Sequence, residues 1–289
     1  MIVQTTMTKN ECFLLKEMLP IWTKYADGFV FYDDGSEDDT LEFLTANKEK
    51  YNILHIFSKN TRHNVEEELW METDNRQIIF DKAYEYTGNI TCLDSDEYFD
   101  GRWTKDQLEL FLEQNKNNLY YLHWAQYTGK NELRVDTMWR SNFTDRIGSY
   151  SEKTQHKKTQ MHSLHLPNPG NINSIDPNNL FIAHLQWMDK RAVGVKQYYW
   201  KVLNYVDHKL HGVEVCGKEA YDNSVNNFAW EYSYFPYDLK VRLDVFSSQD
   251  MKQNLKLKTI VEYTNKYDVP NLGDWNMGIY DYAKKQNLR

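Results

Sequence analysis

The segment Thr91-Cys92-Leu93-Asp94-Ser95-Asp96-Glu97 sets two carboxylates two residues apart, directly after an apolar run that reads as a buried strand. Such a pair can address one hard cation, because Mg2+ and Mn2+ take oxygen ligands and need only one or two protein carboxylates when a phosphate-bearing substrate supplies the rest. Asp-x-Asp also arises by chance and is commonly a solvated turn, so its position has to carry the weight. A second acidic group, Asp33-Asp34-Gly35-Ser36, also follows an apolar run and precedes a helix signal. A carboxylate there can accept hydrogen bonds from a nucleobase or ribose, and Gly35 lets a backbone approach closely. The plain alternative is an Asp/Gly turn with a helix cap.

Both groups need elements that bring them to one place. Strand signals at 2–6, 28–32, 52–57 and 89–93 alternate with helix signals at 11–25, 39–46 and 65–86. The first helix should break or bend at Pro20, Ser36 and Asp39 should form a capping box, and Gly88 should close the third helix. This alternation predicts an α/β fold with a Rossmann-like, mostly parallel central sheet flanked by helices, whose ligands gather at the carboxyl ends of the strands. Thr5, Thr6 and Glu11 belong to the neighbouring strand end and would wall the same crevice. Further strands are predicted at 119–127 and 180–187 around a loop-rich stretch from 130 to 179, followed by a helix at 190–208. Helical signals at 251–267 and 280–286 make 211–289 a mainly helical C-terminal extension on a 1–210 domain.

The formal net charge of -8, spread along the chain, leaves no cationic surface for a nucleic acid. Cys12, Cys92 and Cys216 lie far apart without a CxxC spacing, which disfavours zinc and disulfides. The first residues lack a signal-peptide pattern, and no run of about 18 apolar residues suggests a transmembrane segment, so the chain reads as cytoplasmic. The 9 Trp and 21 Tyr suit sugar stacking, although core packing explains any single ring equally well.

Taken in order, TTMTKNE, YDDGSEDDT, Arg76 and LDSDEYF resemble the family-two glycosyltransferases of the GT-A fold over about the first third of the chain. A weaker likeness continues through ELRVDTMW and IAHLQWMDKRAVGVKQYYW. The resemblance implies that Thr6 and Asp34 lie beside the nucleotide, with Glu11 supporting the base pocket. It implies that Asp94 touches ribose or metal, with Ser95 beside it, that Asp96 is the principal metal ligand, and that Arg76 brings a cation to the acidic site or diphosphate. His184 matches a histidine that completes the metal or diphosphate site, while a hydrogen-bonded core role is the alternative. His162 and His165 read as structural.

The implied activity is metal-dependent transfer, with Mn2+ or Mg2+, from a nucleotide-sugar donor to a glycan, glycoconjugate or other hydroxyl acceptor. UDP is the default nucleotide; GDP and dTDP sugars stay open. An inverting transfer needs a base near the acceptor, and Glu132, Asp136, Asp145 and Glu152 are candidates. Asp136, next to aromatic residues in ELRVDTMW, is favoured, with Asp145 in reserve. Trp124, Trp139 and Trp187 are candidate acceptor-stacking rings. Two rivals stand beside this reading. A sugar-phosphate nucleotidyltransferase would want a Gly-rich phosphate loop, which TTMTKNE lacks; a non-catalytic carbohydrate- or nucleotide-sugar-binding protein would share the donor fold.

Overall fold

The computed structural model describes residues 1–60, 69, 71–136, 139, 142–159, 163–212, 232–234, 237, 239–241, 250–270, 279–282 and 284–285. Cys216, His162 and the start of the helix expected at 65–86 lie outside them.

The first half follows the predicted alternation: β1 (Val3–Thr8), α1 (Cys12–Trp22), β2 (Gly28–Asp33), α2 (Thr40–Ala46), β3 (Ile53–Ser58), α3 (Glu72–Tyr84) and β4 (Asn89–Cys92). β3, β2, β1 and β4 lie side by side and parallel. The chain therefore runs outward from β1 on one side and returns to its other side, which makes β1 a switch point of the kind that opens a crevice at strand ends. Alternation along β2 feeds two cores. Phe29 and Phe31 pack with Leu15, Leu19 and Trp22 of α1, whereas Val30 and Tyr32 pack with Ile79 and Phe80 of α3.

Beyond β4 the sheet is mixed, where a mostly parallel one was predicted. β5 (Glu97–Gly101), α4 (Lys105–Gln114), β6 (Asn118–Gly129), β7 (Glu132–Arg134), β8 (Phe143–Ser149), β9 (Asn171–Ser174) and β10 (Leu180–His184) follow. β8 inserts between β4 and β6, antiparallel to both, and β10 joins β5 to β6. The 130–179 stretch thus contributes a central strand. Its sequence, FTDRIGS, carries two charges and gives no apolar alternation, yet Asp145 and Arg146 are both buried because other groups pair with them.

α5 (Lys190–His211) packs against α6 (Asp250–Tyr267) through Val195, Tyr199, Val202, Leu257 and Ile260. The predicted boundary near 210 falls at the end of α5. A short strand, β11 (Tyr232–Tyr234), pairs with β7. None of the described helices is long and apolar enough to cross a membrane.

Three local expectations differ from the structure. α1 runs through Pro20 and ends two residues later at Trp22, so the proline sits in the last turn. Ser36 does not cap α2: its hydroxyl donates to Asp33, and Asp38 Oδ1 accepts from the Thr40 backbone N at 3.0 Å. Gly88 is needed for proximity instead of helix capping. It accepts a hydrogen bond from Tyr150 N at 2.8 Å, and a Cβ at Gly88 would sit 2.1 Å from the Tyr150 carbonyl oxygen. Gly88→Ala should therefore lower the unfolding free energy by about 1–3 kcal/mol, the usual penalty for overpacking, which urea denaturation would measure; an unchanged midpoint would refute the contact.

Candidate functional site

The strand register assembles the site from two acidic turns. Thr8 at the end of β1 pairs with Asp33 at the end of β2, and Thr5 pairs with Cys92 at the end of β4. The ladders continue one step further, with Asp34 N donating to Thr8 O at 2.9 Å and Leu93 N to Thr5 O at 3.1 Å. Asp34 and the Asp94-Ser95-Asp96 turn therefore leave the same sheet edge on either side of β1. A cavity of about 260 Å3 opens there. The edge supplies Thr8, Lys9, Asn10, Glu11, Asp34, Glu37 and Asp94–Asp96, and α3 supplies Glu72 and Arg76; α5 supplies Lys196, Tyr199 and Trp200, and α6 supplies Lys256, Lys258, Thr259 and Glu262.

Asp94 and Asp96 face different surroundings. Asp94 Oδ2 lies 3.5 Å from an Arg146 nitrogen and 3.9 Å from His165 Nε2, and Oδ1 lies 4.0 Å from Arg76. Burial alone would raise the Asp94 pKa, but Arg146, His165 and Arg76 outweigh it and hold the carboxyl at about 2. Beneath it Glu97, fully buried, receives Arg146 Nε at 2.8 Å and a second Arg146 nitrogen at 2.6 Å. It also accepts Trp124 Nε1 at 2.7 Å and the Asp94 backbone N at 2.9 Å. One carboxylate thereby ties the acidic turn to β6 and β8.

Asp96 turns toward β10. Its backbone oxygen accepts Leu185 N at 2.9 Å, and its Oδ2 lies 3.6 Å from His184 Nε2 and 4.0 Å from Lys196 Nζ. His184 is buried, stacked on Trp124 with ring centroids 4.3 Å apart, and its Nδ1 is 2.6 Å from Gln126 Oε1. Among the described residues no three His, Cys, Asp or Glu side chains converge on one point that could hold a metal ion. Asp96 and His184 offer one oxygen and one nitrogen donor side by side, a set that suits Mn2+ and leaves coordination positions for substrate oxygens.

The remaining sequence candidates divide. Glu11 lines the cavity, with Thr8 Oγ donating to it at 3.2 Å, and Ser95 Oγ donates to Thr8 Oγ at 3.2 Å. Arg76 lines it too, with its Nε on Glu72 at 2.8 Å. Thr5 and Thr6 are buried one turn of the pleat below, where Thr5 Oγ donates to Thr91 O at 3.1 Å. Asp33 holds the turn itself, accepting from Ser36 N and Ser58 Oγ at 3.2 Å each.

Neither candidate base lines the cavity. Asp136 is gripped through both oxygens by Arg134, at 2.6 and 2.7 Å. Asp145 is buried and accepts the backbone N of His165 at 2.6 Å and of Leu166 at 3.1 Å. Of the three tryptophans, Trp124 supports His184, while Trp187 and Trp139 flank the Arg134 guanidinium at 4.4 and 5.1 Å. Core packing, the alternative named for such rings, is where the structure puts Trp139 and Trp187. Lys196, Tyr199 and Trp200 had a signal in the sequence, an i, i+3, i+4 spacing that shares one helix face. For the lysines of α6 no motif existed.

No protein-family model matches the chain, and no curated protein matches it. The chain does match solved structures of GT-A glycosyltransferases. TarS from S. aureus, residues 1–349, is 14% identical with a TM-score of 0.44, over 91% of this chain and 80% of that one. The same TarS chain in complex with UDP gives 13% and 0.42 over the same shares. The mannosyltransferase PcManGT from Pyrobaculum calidifontis, solved with GDP-Man and Mn2+, gives 10% and 0.43 over 100% of this chain and 80% of that one. All three scores lie below 0.5, and the functional assignment depends on the chain's own residues.

Removing Arg146 leaves Glu97 buried without its counter-charge, so Arg146→Met should cost about 3–5 kcal/mol in chemical denaturation; a loss below 1 kcal/mol would show that Glu97 is not held as described. His156 gives a pH signature. Burial, aided by Arg76, pushes its pKa down to about 4 from the ordinary 6.5. Between those values the unfolded chain binds a proton that the folded chain refuses, so stability falls as pH drops from 6.5 to 4. His156→Gln should flatten the urea midpoint against pH across that window relative to wild type; parallel curves would contradict it.

Proposed function

We propose that the chain is a metal-dependent glycosyltransferase that takes a nucleotide diphosphate sugar, with UDP as the first nucleotide to test, and passes the sugar to a hydroxyl of a glycan or glycoconjugate. One observation carries the reading. Asp96 lines the same cavity as Asp34 and lies 3.6 Å from Nε2 of the buried His184, with no hydrogen bond between the two. The cavity thus offers a carboxylate for a nucleoside, a carboxylate backed by an imidazole for a divalent cation, and lysines for phosphate oxygens.

Asp96 and His184 would hold the cation, with Asp94 beside them, restrained by its arginines and available to ribose or metal. When bound, Mn2+ or Mg2+ would offset negative charge developing on the departing diphosphate. Lys196, 4.0 Å from Asp96, adds a second positive charge to the same place. Asp34, Glu11 and Asn10 wall the nucleoside side. Gly35, in a left-handed conformation with φ 68°, lets the β2–α2 turn lie against Asn60 and keeps Asp34 at the rim. The acceptor's proton would have to go to a carboxylate on the cavity wall, since Asp136 and Asp145 are occupied elsewhere. The main rival, a binding protein without catalysis, would share donor affinity and show no turnover.

Titration calorimetry with UDP in the presence of Mn2+ should give binding that EDTA abolishes and that Asp96→Asn weakens on the order of 100-fold or more, the loss of a ligand exceeding that of an outer partner. His184→Ala should weaken Mn2+ more than Mg2+, because imidazole suits the softer ion. Slow Mn2+-dependent hydrolysis of the nucleotide sugar would separate an enzyme from a binding protein. Unaltered UDP binding after EDTA treatment and in Asp96→Asn would sink the proposal.

A further inference from the structure

We propose that Gln126 is a positioning residue that fixes the tautomer of His184 and so aims its Nε2 lone pair at Asp96. The inference rests on reading Asp96 and His184 as cation ligands, and it concerns a residue with no motif in the sequence. Gln126 lies in the middle of β6 and is 1% exposed, so each of its amide atoms needs a partner within the protein. Three partners are present. Trp187 Nε1 donates to Gln126 Oε1, His184 Nδ1 lies 2.6 Å from that same oxygen, and Gln126 Nε2 donates to Trp124 O at 3.1 Å.

Together these contacts leave one assignment. An indole N–H can only donate, so the amide atom facing Trp187 must be the oxygen. The main-chain oxygen of Trp124 can only accept, so the other amide atom must be the nitrogen, and the amide cannot flip. His184 Nδ1 then meets an acceptor and must carry the hydrogen. In the neutral ring this leaves Nε2 with a lone pair, directed to the side where Asp96 Oδ2 stands at 3.6 Å. Two acceptors facing each other at that distance make no hydrogen bond with one another, and a cation between them would be ligated by both. Stacking on Trp124, whose own N–H is held by Glu97, keeps the ring from rotating out of this plane.

The test is Mn2+ binding, read from the free-ion EPR signal with UDP present, and the 14N coupling of bound Mn2+ in pulsed EPR. Wild type should bind and show the coupling, and His184→Ala should lose the coupling. Gln126→Met, close in volume but without the acceptor, should bind Mn2+ 10- to 100-fold more weakly, the usual effect of removing a ligand's outer partner. Gln126→Glu keeps an acceptor for both rings and, in its protonated form, a donor for Trp124 O, so it should bind Mn2+ more tightly than Gln126→Met. In a His184→Ala background Gln126→Met should have no further effect, since the two act as one unit. If Gln126→Met does not fold, a 15N–1H correlation spectrum of the metal-free wild type stands in, and it should show the hydrogen of His184 on Nδ1. Wild-type affinity and coupling in Gln126→Met, or a His184 hydrogen on Nε2 where the spectrum stands in, would overturn the inference while leaving the cation site intact. Failure of wild type itself to bind Mn2+ would instead overturn the functional reading beneath it.

Discussion

A single carboxylate with no exposed surface, Glu97, holds the acidic turn to the sheet. It takes two hydrogen bonds from Arg146 on β8, one from the Trp124 indole on β6 and one from the amide of Asp94. A buried charge is costly unless its partner and its remaining lone pairs are all provided for, and here they are. Because the partners come from different strands, satisfying Glu97 also sets where Asp94 and Asp96 point. A pair of residues two apart is flexible in a surface turn; over this ion pair it becomes a fixed edge.

The division of labour between the aspartates follows from what surrounds each. Asp94 sits among guanidinium groups, which keep it ionised and restrain it. Asp96 lines the cavity with an imidazole and a lysine near it in place of guanidinium groups. The histidine has supports of its own on the side away from the cavity, in Trp124 and Gln126. Polar groups in this core are therefore arranged in series, from the buried anchor Glu97 to the cavity-lining Asp96.

Much of this arrangement was legible in the sequence, for a definite reason. In the first hundred residues, strands and helices alternate with apolar periodicity, and chemistry sits at strand ends, so Asp34, Asp94 and Asp96 could be placed beside one another before any coordinates. β8 was not legible because two of its buried residues, Asp145 and Arg146, are charged, and periodicity arguments recognise burial by apolarity. The same blindness made Asp145 a candidate base: a carboxylate near the expected acceptor side looks free until the backbone amides of His165 and Leu166 are seen to occupy it. Trp124 was misjudged for a related reason, since an indole that supports a histidine has the same letter as one that stacks on a sugar. The lysines of α6 carry no local pattern at all, and their place in the cavity depends wholly on how the last helices pack.

That packing has a consequence for how the protein comes into being. The edge that bears Asp34 and Asp96 is encoded early, while Lys196, Lys256 and Lys258, which close the opposite side, belong to helices made much later. Without those helices the carboxylates of this edge would face water on that side. The cavity is complete only when α5 and α6 pack over that edge.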